Sequence, residues 1–335
     1  MTTPILAVRN LAVEFDTFGG VVNAVRDVSF DLHAGQTLAI VGESGCGKSV
    51  TVQSLMGLIP TPPGRITKGS ARFMDQDLVT TGAQGVRGVH MGMIFQDPMT
   101  SLNPTMRIGD QVAETLVVHK QYTRKQAQEA AVSLLARTHI PEPRRRAQQY
   151  PFEFSGGMLQ RAMIAQALAC EPAILIADEP TTALDVTIQA QILELMQSLQ
   201  KEHGMSIILI THDLAVVARM ADQVAVMYAG EIVETGSVTD VFYHPAHPYN
   251  LGLQQAMPSN RHPDRVLEPI PGSPPDLFSP PTGCGYCARC PHAMTICDSH
   301  PPEMSPIDIA STHEARCWLH HELAPSENNP VRPSS

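Results

Sequence analysis

The chain has 335 residues, more than one typical domain, so its length predicts one large domain with an appendage, or two domains. A hydrophobic content of 43% supplies a sizeable core, while a formal net charge of −10 argues against nucleic acid as the main partner, because phosphate backbones select a basic footprint. No apolar run approaches the about 18 residues that span a bilayer, and Met1–Asn10 lacks the charged and apolar regions of a secretion signal, so the expectation is a cytoplasmic protein whose membrane role comes through a partner.

In chain order, Ile5-Leu-Ala-Val8, Val13-Glu-Phe15 and Val28-Ser-Phe-Asp-Leu32 read as strands, with Gly19-Gly20 as a turn. The apolar run Thr37-Leu-Ala-Ile-Val41 then leads into Gly42-Glu-Ser-Gly-Cys-Gly-Lys-Ser49, and Val50–Met56 follows with helical spacing. Strand, glycine-rich loop and helix make a phosphate-binding arrangement. Glycines let backbone N–H groups wrap a polyphosphate, and the helix N-terminus adds partial positive charge. In such a loop Lys48 reaches the β/γ-phosphates and the Ser49 hydroxyl holds Mg²⁺.

Residues 90–96 read as a buried strand, and from about 105 to 170 the pattern turns helical, with Thr123 as an N-cap and apolar spacing to Leu135. Within that stretch Ser155-Gly-Gly-Met-Leu-Gln160 opens a second helix with a glycine-rich N-terminus; read alone it is a loop-to-helix cap, and in a phosphate-binding protein it is a second anion site. Ile174-Leu-Ile-Ala-Asp-Glu179 is an apolar strand ending in two carboxylates. Asp178 is suited to order a Mg²⁺ shell and Glu179 to polarise an attacking water. A helix over about 186–202 has Ile188, Ile192, Leu195, Met196 and Leu199 on one face, which is core. A strand at 205–210, a helix near 213–221 and a strand at 223–228 complete an alternation that implies a mainly parallel sheet. Residues 251–283 read as a Pro-rich linker or wrap, 284–320 as a cysteine-rich lobe, and 321–335 as a disordered tail. Five of the seven cysteines crowd between Cys284 and Cys317. In a reducing compartment such a set reads as metal ligation sooner than disulfides, and four thiolates suit both zinc and iron–sulfur clusters.

On these motifs the chain resembles the ATP-binding cassette family, over roughly residues 5–250. Gly42–Ser49 is similar to the Walker A loop, Ile174–Glu179 to Walker B, and Ser155–Gln160 to the signature motif, with Met-Leu in place of the commoner residues. Gln96 in Phe95-Gln-Asp-Pro98 resembles the Q-loop, Asp185 in Ala183-Leu-Asp185 the D-loop, and His212 in Ile210-Thr-His-Asp213 the switch histidine. The implied fold is α/β: a P-loop NTPase of ABC type with a RecA-like core, an antiparallel β-subdomain, a helical signature subdomain over about 97–170 and a C-terminal Cys-rich extension. The resemblance implies that ATP is held by Phe15 (with Phe18 competing as the stacking aromatic) and by Gly42, Glu43, Ser44, Gly45, Cys46, Gly47, Lys48, Ser49 and Val50. It places Ser49, Gln96 and Asp178 around Mg²⁺, and makes Glu179, His212 and Gln96 the catalytic set. Ser155, Gly156, Gly157 and Gln160 would face the ATP of a second, head-to-tail subunit, with Asp185 at the interface.

Exporters fuse membrane helices to the cassette, and translation or DNA-repair cassettes carry a second cassette or a coiled coil, so a detached importer subunit is implied. Gln96–Pro104, Ala177–Gln191 and His244–Tyr249 resemble the oligopeptide/dipeptide/nickel importers, and the D-type peptide subunit in particular. That implies a second, different ATPase subunit, two transmembrane permeases, an external binding protein acting indirectly, and a peripheral place on the cytoplasmic face of the inner membrane. A nickel or other solute importer is the alternative. The Cys-rich tail of the resembled subunits implies a [4Fe–4S] cluster on Cys284, Cys290, Cys297 and Cys317, with Zn²⁺ as the alternative and Cys287 as a competing ligand.

Overall fold

The computed structural model describes residues 3–182, 184–256, 269–308, 312–325 and 329–331. Ala183, part of the Pro-rich stretch and part of the tail lie outside the described residues. The strands are β1 (Leu6–Thr17), β2 (Gly20–Leu32), β3 (Thr37–Val41), β4 (Gly64–Phe73), β5 (Gln76–Asp77), β6 (Met91–Ile94), β7 (Ile174–Asp178), β8 (Ser206–Ile210), β9 (Gln223–Tyr228), β10 (Glu231–Ser237), β11 (Ser305–Pro306) and β12 (Glu314–Ala315). The chain divides into two compact units. The first comprises Met1–Ile5, Leu32–Thr37 and Gly82–Thr211; the second comprises Leu6–Asp31, Leu38–Thr81 and His212–Ser335.

In the first unit β6, β7 and β8 pair in parallel, with Met91 opposite Ile174 and Asp178 opposite Ile210. Every residue of these strands is buried, which is why they read as apolar runs interrupted only at their ends, by Asp178 and Ser206. The helices Ile108–Lys120, Arg124–Arg137 and Gly156–Ala167 supply a separate core in which Val112 and Leu116 meet Ala127, Ala131, Leu135, Leu159 and Ala162. The expected N-cap at Thr123 is a full capping box with Gln126. The helix Val186–His203 buries Ile192, Leu195, Met196 and Leu199 of the stripe read from the sequence, whereas Ile188, in its first turn, is only half-buried.

In the second unit β1 and β2 form one long hairpin where the sequence suggested several short strands; β1 runs on through a register shift against β4 between Arg9 and Val13, and this irregularity breaks the alternation into two apparent strands. The order is β5-β4-β1-β2-β10-β9-β3, with β3 parallel to β9 and β10 antiparallel to β9. The C-terminal segment is part of this unit: β12 adds to β10 at Glu234–Ala315 and Thr235–Glu314. The fully buried Glu234 carboxylate accepts from the backbone N–H groups of Ala246 and His247, each at 2.9 Å, and from His313 Nε2 at 3.0 Å. A buried carboxylate is tolerable only with such partners, so this knot ties the segment before the cysteine lobe to the stretch between Cys297 and Cys317. Within the stretch expected to be a tail, Val331 is buried and Asn329 Nδ2 donates to the Leu319 carbonyl at 2.9 Å.

Candidate functional site

The loop after β3 belongs to the second unit. Gly47 closes it at φ 104 and caps the helix Lys48–Leu55. A Cβ at Gly47 would lie 2.4 Å from the Ala24 carbonyl oxygen, so both the left-handed backbone and the space demand glycine. Lys48 is 5% exposed, and its Nζ donates to the Gly42 and Glu43 carbonyls at 2.9 Å each. These acceptors hold the ammonium across the loop, where a polyphosphate wrapped by the same backbone would meet it. Burial pushes the Cys46 thiol up, although Lys48 opposes this. Phe15 is half-buried opposite Gly64 of β4, whereas Phe18, at the β1–β2 turn, is fully exposed. His212 is exposed and precedes Asp213, which caps the helix Leu214–Met220.

In the first unit Asp178, 2% exposed, ends β7, and Glu179 follows with a left-handed backbone, φ 45. Its N–H donates to the Ile210 carbonyl at 2.9 Å, so pairing with β8 fixes this sparsely populated conformation. The Glu179 carboxylate accepts from Gln96 Nε2 at 3.0 Å and from Thr182 Oγ1 at 2.9 Å, so strand tip and Q-loop meet directly. Thr182 is a site neighbour the sequence did not single out; it lies three residues beyond Glu179 on the turn. Ser155 caps the helix Gly156–Ala167 by accepting from Met158 N–H. Gly157 is required by close approach, since a Cβ there would stand 2.8 Å from Ile188 Cγ2. Ser155 and Gly156 are exposed, while Gln160 is buried beneath them and its Nε2 lacks a hydrogen-bond partner. Asp185 caps the helix Val186–His203 through Ile188 N–H at 3.0 Å.

The cysteine lobe is a run of tight turns in which Cys284 N–H donates to the Cys297 carbonyl, Cys287 to Cys284 and Cys290 to Cys287. All seven cysteines are free. Burial pushes the thiols of Cys284 and Cys317 up to about 12 and that of Cys290 to about 11, and Cys284, Cys290 and Cys297 each act electrostatically on Cys317. Among the described residues no group of three or more His, Cys, Asp or Glu side chains is arranged to hold a metal ion. The expected cluster ligands therefore share a lobe without forming a ready metal site.

Comparison with known proteins agrees with these motifs. Residues 25–182 match the ABC transporter family and residues 233–297 the oligopeptide/dipeptide transporter, C-terminal region. The dipeptide transport ATP-binding protein DppD of Bacillus subtilis is 54% identical over 323 residues, covering 96% of each chain. The oligopeptide transport ATP-binding protein OppD of Escherichia coli is 52% identical over 301 residues, covering 89% of each. Among solved structures, a dimeric ATP-binding cassette in a post-hydrolysis state with ADP and Pi matches with a TM-score of 0.63 at 24% identity, over 70% of this chain and 98% of that one, a likeness of fold. With a phosphate loop, a carboxylate-tipped strand and these relatives along nearly its whole length, the chain belongs to the ABC transporter ATPases that carry the oligopeptide/dipeptide transporter C-terminal region.

Proposed function

We propose that this chain is the ATP-hydrolysing subunit of an importer for oligopeptides or dipeptides. The observation that carries this is one chain joining a lysine-braced phosphate loop to a C-terminal region matched in peptide transporters. ATP is held by the Gly42–Ser49 loop with an aromatic from the β1–β2 hairpin; Ser49, Asp178 and Gln96 serve Mg²⁺, and Glu179, kept in place by Gln96 and Thr182, orients and activates the water while His212 holds the γ-phosphate. Ser155, Gly156 and Gly157, at an exposed helix N-terminus, face the ATP of a second, different ATPase subunit, with Gln160 packed beneath them and Asp185 setting the helix that follows. The pair works beneath two permeases on the cytoplasmic face of the inner membrane. No described helix is long and apolar enough to cross the membrane itself.

Purification of the native complex should recover both permeases with this chain, and its ATPase should rise with peptide-loaded binding protein. Deleting the chain should abolish uptake of a labelled oligopeptide. Loss of nickel uptake with peptide uptake intact would replace peptide by nickel as the cargo.

For the lobe, the proposal is a structural [4Fe–4S] cluster on Cys284, Cys290, Cys297 and Cys317, supported by four cysteines of one lobe, none of them in a disulfide. Protein purified without air should be brown, absorb near roughly 400 nm through thiolate-to-iron charge transfer, and contain iron. Colourless protein with one zinc would replace iron by zinc; metal-free protein would discard both.

A further inference from the structure

Glu43, the second residue of the phosphate loop, is held at three points. Its carbonyl accepts from Lys48 Nζ at 2.9 Å, and its N–H donates to Tyr249 Oη at 2.9 Å. Its carboxylate receives both terminal nitrogens of Arg289, at 2.8 and 3.0 Å, in the two-pronged geometry that planar guanidinium favours. Arg289 lies inside the cysteine lobe, at the end of the turn Cys287–Arg289 and immediately before Cys290. It is 5% exposed against 26% for Glu43, so this pair is not an ordinary surface ion pair. Its remaining donors are also used: Nε reaches the Pro271 carbonyl at 2.9 Å, and the terminal nitrogens reach Tyr228 Oη at 3.3 Å and the Ile270 carbonyl at 3.4 Å. Each of the five N–H donors of a guanidinium thus has an acceptor here. Beneath it Tyr228, Tyr249 and Tyr286 pack with ring centroids 4.5 to 5.4 Å apart, joining β9, the helix Pro248–Gln255 and the lobe into one support.

This placement has an electrostatic consequence. A carboxylate in a loop that wraps polyphosphate repels the ligand unless it is neutralised, and partial burial weakens solvent screening. Arg289 supplies the neutralising charge and fixes the backbone whose carbonyl holds Lys48. We propose that Arg289 is a positioning residue for the nucleotide, through which the C-terminal cysteine lobe braces and neutralises the phosphate loop. The inference rests on the assignment of residues 42–49 as the ATP site.

The test uses the whole transporter complex, with steady-state ATPase and nucleotide-free melting measured in parallel. Arg289→Met should raise KM for ATP about tenfold, the size expected when a charge-assisted contact is lost, with kcat within about twofold of wild type. Arg289→Lys keeps the charge and loses the fork, and should give about a threefold rise. Adding Glu43→Gln to Arg289→Met should restore most of the affinity, because the unpaired carboxylate is gone. A lowered melting temperature with unchanged KM in Arg289→Met would make the contact merely structural and overturn the proposal. Should Arg289→Met fail to fold, an unchanged KM in Arg289→Lys overturns it. Undiminished ATP binding in Lys48→Ala would instead refute the nucleotide-site assignment, so the two failures are distinguishable.

Discussion

Glu179→Gln is expected to retain Mg-ATP binding and lose steady-state turnover by about a thousandfold, within the range a positioned general base contributes. The substitution is nearly isosteric. A glutamine at 179 still offers an acceptor oxygen to Gln96 and Thr182, and the bond from its backbone N–H to the Ile210 carbonyl does not involve the side chain. What disappears is the negative charge that would draw a proton from water. Asp178, the residue proposed to serve Mg²⁺, is untouched at the buried strand end, so Mg-ATP binding is expected to persist. Single-turnover hydrolysis and nucleotide trapping read the two steps apart. Hydrolysis at the wild-type rate would remove Glu179 from the catalytic role.

Lys48→Ala is expected to weaken nucleotide binding about a hundredfold, the sum of charged hydrogen bonds worth roughly 1.5–3 kcal/mol each. Lys48 sits inside the loop with two backbone carbonyls and the Cys46 sulfur as acceptors, so its removal takes away a positive charge and a single side-chain contact, with no ion pair broken among the described residues. The loop shape depends on Gly47 and on the Thr51 Oγ1 bond to the Gly47 carbonyl, which the variant keeps. Titration with a fluorescent ATP analogue, checked by melting without nucleotide, measures the loss. Wild-type affinity in a folded variant would contradict the assignment.

The two variants separate binding from chemistry, and Arg289 adds a third class in which affinity changes from a distance. Its side chain is separated from Glu43 by 246 positions in the chain, yet the two bond in both prongs. A lobe read only as a metal-binding appendage thus also serves as the support of the phosphate loop.

What the sequence determined by itself was local. The glycine spacing of residues 42–49 dictates a loop whose backbone amides turn inward, and Thr123 dictates the start of a capped helix, to which the structure adds Gln126 as the second half of a capping box. The short apolar runs at 174–177 and 207–210, set between helical patterns, read as buried strands, and the stripe from Ile192 to Leu199 as a helix with one buried side. Each of these is written within a few turns of chain, where periodicity and capping act. The tertiary structure alone decided that β12 extends β10, that Glu234 is buried with His313 as partner, that the Glu179 carboxylate meets Gln96, and that Arg289 finds Glu43. These pairs join residues 79 to 246 positions apart. No propensity or period encodes such contacts; they form because folding buries a charge or a sheet edge, and a buried polar group must then find its partner wherever the chain has brought one.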